Sequence, residues 1–170
     1  MKNIKILIDN KTLSKRIKEI AKEIEKDYIG EEVTLVCILK GSIMFFSDLA
    51  KNINKNVKLD FIRISSYENY ESKNIKLVEG LLDDIKGKNI ILIEDIIDTG
   101  KTMNYLIPYL KKLEPSSIKV CTLLDKPSKR IIPFSADYVA FEVDDKFLVG
   151  YGLDFNEDYR NLNYIGYIEK

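Results

Sequence analysis

The sequence predicts an α/β protein in which an open, mainly parallel, twisted sheet is flanked by helices. Three short runs, almost entirely apolar and rich in β-branched residues, predict its strands: VTLVCIL (33–39), NIILI (89–93) and SIKVCTLL (117–124). Strands that are covered on both faces have this composition. Stretches with helical periodicity separate them, and this alternation of strand and helix is typical of a parallel sheet.

Three stretches predict the helices that would cover the sheet. Apolar residues recur with a 3.6-residue period over 12–28, which indicates an amphipathic helix. Two more helices are predicted at about 42–52 and 101–113. The first helix could be capped by any of three polar residues near its start: Asp9, Asn10 or Thr12.

Two regions depart from this alternation. VKLDFIRISSY (57–67) and NIKLVEGL (74–81) predict two strands around the polar segment ENYESK, a long loop of the kind that often serves as a mobile lid. From Ala136 onward the chain has short strand-like pieces, DYVAFEV and KFLVGYGL, and then a polar turn, DFNEDYRN. No linker or repeat divides the chain, so we expect residues 1–170 to form one domain.

Composition narrows the range of functions. The 170 residues are 45% hydrophobic and 32% charged, which is typical of a soluble globular protein. Lys plus Arg equals Asp plus Glu, at 27 each, so no basic excess indicates nucleic acid as a partner. The chain has no apolar run of about 18 residues and its N-terminus lacks a signal-peptide core, so we expect no membrane partner and a cytoplasmic location.

Two further features narrow the chemistry. The sequence contains no histidine, which excludes Ser-His-Asp and Cys-His catalysis as well as His-containing zinc sites. Proton transfer therefore falls to Asp, Glu, Lys, Tyr or Cys. The two cysteines, Cys37 and Cys121, lie in separate apolar runs, and we expect them to be buried, inert thiols.

Polar segments follow three of the predicted strands directly: LKGS (39–42), EDIIDTGKT (94–102) and LDKPS (124–128). In open α/β sheets, ligands bind beyond the carboxyl ends of the strands, near the point where the strand order reverses. The three segments therefore predict a binding site at one edge of the sheet.

The segment DTGKT (98–102) predicts a phosphate-binding loop. Backbone N–H groups at a helix N-terminus and two threonine hydroxyls can surround an anion, and Gly100 would let the backbone approach it closely. The end of this segment, GKT, also matches the nucleoside-triphosphate P-loop. That loop requires glycine where this chain has Asp95, so the P-loop interpretation fails.

Glu94 and Asp95 stand just before this loop. A pair of carboxylates beside a monophosphate site could bind two adjacent hydroxyls, as on a ribose that carries a 5-phosphate. The pair could instead hold or orient Mg²⁺ near a polyphosphate. The residues themselves leave both possibilities open.

These residues carry a resemblance to a known family. IILIEDIIDTGKT resembles the phosphoribosyl-pyrophosphate (PRPP) motif of type I phosphoribosyltransferases, and the chain is similar to the bacterial members that act on hypoxanthine and guanine. The similarity extends over most of the chain. It includes LKGS, SSY at 65–67, LLDKP at 123–127 and DKFLVGYGLDFNEDYRNLNYIG at 145–166.

The resemblance implies a fold, an activity and a cofactor. The fold would be the type I phosphoribosyltransferase sheet, with a purine-binding hood from about 136–170 and a flexible lid loop at about 66–76. The activity would be transfer of the 5-phosphoribosyl group from PRPP to N9 of a 6-oxopurine, with release of pyrophosphate and a requirement for Mg²⁺. Family members are usually dimers or tetramers, so a homodimer or homotetramer is expected.

The resemblance also implies roles for residues on the PRPP side. Glu94 and Asp95 would hold the ribose hydroxyls and, together with Asp154, associate with Mg²⁺. Asp98 would be the general base that takes the purine N7 proton. The 5-phosphate would be bound by the loop itself: Asp98, Thr99, Gly100, Lys101 and Thr102.

LKGS resembles the family's pyrophosphate loop, which has a cis peptide bond at the position of Leu39 and Lys40. Lys40 and Gly41 would bind pyrophosphate together with Arg160, a residue type suited to bidentate contact with anions. Ser66 and Tyr67 resemble the start of the lid. This chain continues with Glu68, Asn69 and Tyr70 where bacterial relatives tend to have glycine and other small residues.

On the purine side, Lys126 corresponds to the lysine that donates to the exocyclic O6. An ammonium group is only a donor, so it favours a 6-keto group over the 6-amino group of adenine. Phe147 would stack on the purine, although a core position is the alternative for this residue. Leu148 would bind the purine edge through its backbone, and Asp154 would lie beside the base.

A regulator that senses PRPP without catalysis on the same fold is the alternative function. Such a module would need a nucleic-acid surface or an extra domain, and it could lose Asp98 or Lys126, which this chain keeps. The sequence does not rank hypoxanthine, guanine and xanthine as substrates.

Overall fold

A computed structural model describes residues 3–69 and 72–168, without the side chains of 66–69 and 72–75. Three α-helices are present in this part of the chain, α1 (Asn10–Asp27), α2 (Ile43–Asn52) and α3 (Lys101–Lys111), together with a short 3-10 helix at Pro127–Lys129. The strands, in chain order, are β1 (Ile4–Ile8), β2 (Val33–Leu39), β3 (Lys58–Asn69), β4 (Ser72–Glu79), β5 (Asn89–Ile97), β6 (Ser117–Asp125), β7 (Tyr138–Glu142), β8 (Leu148–Val149) and β9 (Ile165–Ile168).

Six strands form the main sheet in the order β4-β3-β2-β5-β6-β7. All neighbours in it are parallel except β3 and β4, which confirms the predicted open, mainly parallel sheet. The chain passes from β2 to β3 on one side and later places β5 on the other side of β2. The strand order therefore reverses between β2 and β5, and their carboxyl ends border the expected crevice.

Two apolar layers cover the central strands. On one face, α1 and α2 pack their buried side chains, among them Ile17, Ile20 and Phe45, against Leu35, Cys37 and other residues of the sheet. On the other face, Met103, Leu106 and Leu110 of α3 pack against the opposite side chains of the same strands. Burial on both faces explains why these strands are continuously apolar.

The ends of the helices follow local chemistry. Asp9 is the cap of α1, because its Oδ1 accepts a hydrogen bond of 2.7 Å from the Thr12 N–H. The helix therefore begins two residues earlier than predicted. Gly100 precedes α3 with φ 82°, a left-handed conformation that glycine adopts without steric cost.

The stretch predicted as a long lid loop is different in the structure. β3 runs to Asn69, β4 resumes at Ser72, and the two pair antiparallel from Asn69↔Ser72 to Arg63↔Glu79. Pairing in a hairpin satisfies backbone groups that an extended loop would leave to water. The predicted range 66–76 is thus strand at 66–69 and 72–76, and residues 70 and 71 lie outside the described residues.

A second, three-stranded sheet forms the hood, in the order β1-β9-β8 with antiparallel pairs. Its composition differs from the predicted segment 136–170. The N-terminal strand β1, which sequence reasoning missed, joins it, whereas β7 pairs with β6 in the main sheet. β1 was missed because only Ile8 of this strand is buried, so its sequence shows no clean alternation.

The described residues include no helix that is both long enough and apolar enough to cross a bilayer.

Candidate active site

The loop after β2 lies directly against the end of β5. The Leu39–Lys40 peptide bond is cis, as the resemblance implies. A Cβ atom added to Gly41 would stand 1.7 Å from Oδ2 of Asp95, so only glycine fits between the two segments. The Ser42 hydroxyl, buried beside Cys37, donates to the Ile38 carbonyl at 2.7 Å and fixes the turn.

The same loop also contacts the hood. A Cβ atom on Gly152, which has φ 102°, would stand 1.9 Å from the Gly41 carbonyl oxygen. Sequence reasoning did not identify Gly152, although its place in the long motif GYGLD was a possible signal. The ends of β2 and β5 and the hood therefore meet at two glycines, and this meeting point defines the centre of the cleft.

Glu94 and Asp95 form a pair of carboxyl groups near the end of β5, the first buried and the second half-buried. Glu94 is 6% exposed. Burial raises its pKa well above the ordinary value, and the neighbouring Asp95 charge adds to the rise. Burial also raises the pKa of Asp95, while a hydrogen bond from Glu94 acts in the opposite direction. No lysine or arginine forms an ion pair with either group in the described part of the chain, so the pair is suited to a hydroxyl or cationic ligand.

The predicted phosphate loop leads from β5 into α3. The Asp98 side chain is exposed, and its Oδ1 accepts a short hydrogen bond from the Thr99 N–H. The Thr99 hydroxyl accepts from the Lys101 N–H at 3.4 Å. A Cβ atom on Gly100 would stand 2.5 Å from the Ile132 carbonyl oxygen, so the loop is closely backed by the chain behind it.

Beside Asp98 lies a cavity of about 430 Å³, a size common for small-molecule sites. Three of the predicted purine residues line it, namely Lys126, Phe147 and Leu148, whereas the fourth, Asp154, does not. The complete lining is Ile96, Asp98, Lys126, Lys129, Asp145, Lys146, Phe147, Leu148 and Leu153.

Lys126 enters this cavity from the end of β6 and is almost fully buried. Its Nζ donates to the Lys146 carbonyl oxygen at 2.5 Å, and burial lowers the pKa of the ammonium group. Phe147 is 53% exposed and meets Phe155 edge to face, with 5.5 Å between ring centroids. The core position considered for Phe147 is therefore wrong. β8 is an edge strand, so one side of the Leu148 backbone has no strand partner.

Charged side chains cluster in the hood loop between β8 and β9. Asp154 Oδ1 pairs with Arg160 Nη2 at 2.8 Å, and its Oδ2 accepts the Glu157 N–H at 2.8 Å. Arg160 Nη1 donates to the Gly152 carbonyl at 2.7 Å. Glu157 then joins the two predicted pyrophosphate cations, because it lies 3.0 Å from Lys40 Nζ and 3.3 Å from Arg160 Nη2.

The predicted metal residues do not form a ready-made ligand cluster. Among residues 3–69 and 72–168 no group of three or more acids or cysteines could hold an ion, because Asp154 faces Arg160 and the Glu157 amide. The carboxylate oxygens of Glu94 and Asp95 still suit Mg²⁺, a hard cation that takes carboxylate, phosphate and water ligands. Mg²⁺ would thus need oxygens from the substrate as well.

Two lid residues were predicted, Ser66 and Tyr67. Their backbone belongs to β3, and their side chains lie outside the description. Both cysteines, Cys37 and Cys121, are free and buried, as expected. Burial raises the pKa of the Cys37 thiol to about 11, so it is protonated at neutral pH.

Comparison with known proteins agrees with this geometry. A family model for the phosphoribosyl transferase domain matches residues 3–156. A hypoxanthine-guanine phosphoribosyltransferase of Streptococcus thermophilus is 40% identical over 168 residues, which cover 98% of this chain and 93% of the relative. One from Aquifex aeolicus is 43% identical over 171 residues, covering 99% and 96%. A crystal structure of the Bacillus anthracis enzyme superposes with a TM-score of 0.94 at 42% identity, over 98% of this chain and 100% of that one.

The chain therefore belongs to the phosphoribosyltransferase family, with the type I fold. Within the family it groups with the bacterial hypoxanthine-guanine phosphoribosyltransferases, the enzymes of purine salvage.

Proposed function

We propose that this chain transfers the 5-phosphoribosyl group from PRPP to N9 of hypoxanthine or guanine, giving IMP or GMP and pyrophosphate. One observation carries the proposal. The cavity that Lys126 enters is also lined by Asp98 of the phosphate loop, and Glu94 and Asp95 lie near the end of β5, the strand that leads into this loop. The relatives named as hypoxanthine-guanine phosphoribosyltransferases support the same reaction.

On the PRPP side of the cleft, separate groups of residues would bind the 5-phosphate, the ribose and the diphosphate. The N-terminus of α3 and the hydroxyls of Thr99 and Thr102 would bind the 5-phosphate. Glu94 and Asp95, which form no ion pair with the described lysines and arginines, would accept hydrogen bonds from the ribose hydroxyls. Lys40 and the backbone at Gly41 would bind the diphosphate, with Arg160 joining them. Mg²⁺, when bound through Glu94, Asp95 and substrate oxygens, would neutralise charge on the diphosphate.

The purine side would select a 6-oxopurine. Lys126 Nζ still has donors to offer after its bond to the Lys146 carbonyl, because an ammonium group has three and accepts none. A 6-keto oxygen can take such a donor, and a 6-amino group cannot. Phe147, with an exposed ring in the cavity, would stack on the purine face.

The chemical step would then need one base. The N9 lone pair forms the bond to ribose C1, the bond from C1 to the diphosphate oxygen breaks, and its electron pair leaves with pyrophosphate. The N7 proton passes to the Asp98 carboxylate, which lines the same cavity as Lys126. The β3–β4 hairpin, which includes the predicted lid residues Ser66 and Tyr67, would exclude water from the oxocarbenium-like ribose.

The non-catalytic regulator is not favoured. The purine cavity contains both a positioned base, Asp98, and a buried specificity lysine, Lys126. A protein that only senses PRPP would need neither.

The direct test is pyrophosphate release from PRPP and Mg²⁺ with hypoxanthine, guanine, xanthine and adenine in separate assays. We expect turnover with hypoxanthine and guanine and very little with adenine. Absence of turnover with all three 6-oxopurines would refute the enzyme and favour the regulator. We also propose a cytoplasmic homodimer or homotetramer, which light scattering on the purified protein would test for assembly.

A further inference from the structure

The segment that follows β6 packs behind the phosphate loop. The Ile131 and Ile132 N–H groups both donate to the Thr99 carbonyl, at 3.1 and 2.9 Å. Arg130 Nη1 donates to the Asp98 carbonyl at 2.6 Å. The Lys126 N–H donates to the Ile97 carbonyl at 2.9 Å. The carbonyls of three consecutive residues at the start of the loop are therefore all held from one side.

Arg130 acts on the peptide between Asp98 and Thr99. A trans peptide is planar, and its carbonyl and N–H point in opposite directions. The carbonyl of this peptide accepts from Arg130, and its N–H donates to the carboxylate of Asp98 itself. Fixing the carbonyl on one side thus fixes, on the other side, the donor that orients the Asp98 side chain.

Asp125 holds Arg130 in place. The Arg130 Nη2 and Asp125 Oδ1 atoms form a close ion pair, and the two side chains are only 13% and 15% exposed. The guanidinium thus lies between a carboxylate and a backbone carbonyl, which matches its planar fork of donors. Because Asp125 already neutralises this charge, Arg130 is not available as a primary ligand for phosphate.

The loop and the arginine also fit sterically. A Cβ atom on Gly100 would stand 3.3 Å from Arg130 Cδ, so the side chain lies against the backbone of the loop. Asp125 immediately precedes Lys126, the buried lysine of the purine cavity. The ion pair therefore joins the phosphate loop to the segment that carries the purine lysine.

We propose that Arg130, anchored by Asp125, is a positioning residue for the transfer reaction. It orients the Asp98–Thr99 peptide and through it both the general base and the 5-phosphate loop. The inference rests on the proposed function, because it concerns how that site is held in a productive geometry.

The test compares two ligands that would touch different loops. Arg130→Lys keeps the charge and loses the planar fork, so it should free the Asp98–Thr99 peptide. We expect binding of ribose 5-phosphate, measured by calorimetry, to weaken about tenfold, and turnover with PRPP and hypoxanthine to fall about 10- to 100-fold. Pyrophosphate, which would bind at the Lys40 loop, should keep its affinity within about twofold.

Asp125→Asn provides a second variant that keeps the arginine. It should also weaken the binding of ribose 5-phosphate but not of pyrophosphate, with a smaller effect. The double variant should lose less ribose 5-phosphate affinity than the two single variants lose in sum. Lys112 is an exposed residue after α3, and Lys112→Gln removes a charge away from the site. This variant should leave the affinity for both ligands unchanged. If Arg130→Lys does not fold, as judged by circular dichroism, the two ligand affinities of Asp125→Asn test the proposal instead.

Three outcomes would contradict the proposal. Equal weakening of ribose 5-phosphate and pyrophosphate, with a lowered melting temperature, would mean a general structural role. Unchanged ribose 5-phosphate binding and turnover in both variants would refute the inference alone. A wild-type protein that binds neither ligand would refute the proposed function and this inference with it.

Discussion

The cleft has two walls that hold charge in different ways. On the sheet wall, formed by the ends of β2, β5 and β6, Glu94 is buried, and the paired side chains of Arg130 and Asp125 are only 13% and 15% exposed. On the hood wall, across the cleft, Glu157 pairs with Lys40 at the end of β2, and these two side chains are 65% and 53% exposed. The contacts of Glu94 and Arg130 are thus shielded from solvent, whereas the ion pair between Glu157 and Lys40 is open to it.

This difference predicts how each wall responds to change. Breaking a buried, hydrogen-bonded contact leaves an uncompensated polar group and costs several kcal/mol, whereas an exposed ion pair contributes about 0–1 kcal/mol. Substitutions of the buried residues on the sheet wall should therefore cause large losses of activity or stability. The exposed contact between Glu157 and Lys40 can be exchanged for contacts with a ligand, which suits the proposed binding and release of pyrophosphate.

The largest effect is expected at Asp98, a residue of the sheet wall whose carboxylate is exposed to the cleft. Asp98→Asn removes the proposed proton acceptor, so we expect turnover to fall about 10²- to 10⁴-fold. The Asn Oδ1 can still accept from the Thr99 N–H, so the loop should keep its shape and PRPP affinity should change little. Steady-state kcat and direct PRPP binding measure the two quantities. Equal losses in both would mean that Asp98 only positions the phosphate.

The next effect concerns close packing on the sheet wall. Gly41→Ala would drive a methyl group into the Asp95 carboxylate, and overpacking of this kind costs about 1–3 kcal/mol. We expect kcat/KM for PRPP to fall about tenfold or more. The control is Gly80→Ala, where an added Cβ atom would meet only the hydroxyl end of the Tyr109 side chain, at 3.3 Å. A Gly41→Ala enzyme with normal activity and a moderate change only in stability would show that Asp95 can shift freely.

The sheet wall was also the easier part to predict from sequence. The strands β2, β5 and β6 are short apolar runs covered on both faces, and that composition is local information. The polar residues that follow them, such as Lys40, Asp95 and Lys126, were therefore placed at one edge before any contact was known. The hairpin β3–β4 was harder, because the polar composition of ENYESK outweighed the backbone pairing that makes most of it strand.

The remaining contacts depend on pairs far apart in sequence. Nothing local indicates that Arg130 reaches the Asp98 carbonyl, or that Glu157 lies between Lys40 and Arg160. β1 was missed for a similar reason, since its partner β9 is at the other end of the chain. The sequence thus identified residue types suited to the chemistry, whereas their supporting contacts required the fold.

Lys126 joins the two walls. It follows β6, is buried, and its Nζ donates to the carbonyl oxygen of Lys146 in the hood. Lys126→Gln replaces an obligate donor with an amide that can also accept, so the 6-amino group of adenine gains a partner. We expect kcat/KM for hypoxanthine to fall about 10- to 100-fold and the ratio of adenine to hypoxanthine use to rise. An unchanged ratio in assays with both purines would mean that specificity lies elsewhere in the cavity.

The same lysine predicts a pH dependence. Burial lowers its pKa, Lys129 lowers it further, and the charges of Asp145 and Asp98 oppose the shift. As pH rises through this lowered pKa, the ammonium group loses its proton and becomes a weaker donor. We expect kcat/KM of the wild type for hypoxanthine to fall at a pH below the ordinary lysine range. The Lys126→Gln profile should lack that step, and a step present in both proteins would assign it to another group.

The smallest effect is expected for a substitution on the hood wall. It should strengthen binding, whereas the substitutions above reduce activity. Glu157 holds Lys40 and Arg160 as a carboxylate, and hydrogen bonds from Lys40 and then Arg160 keep its pKa below the ordinary value. A bound diphosphate must compete with this charge for the same cations. Glu157→Gln should therefore tighten pyrophosphate inhibition about twofold to fivefold, as expected of an exposed ion pair.

Asp158→Asn is the matched control, because it removes the same charge from the adjacent exposed position. It should leave the inhibition constant close to that of the wild type. The difference between the two variants should shrink as salt is added, because screening weakens exposed charges most. Weaker pyrophosphate binding in Glu157→Gln would mean that the carboxylate holds Lys40 and Arg160 in place for the ligand. The hood wall would then be as preorganised as the sheet wall, despite its exposure.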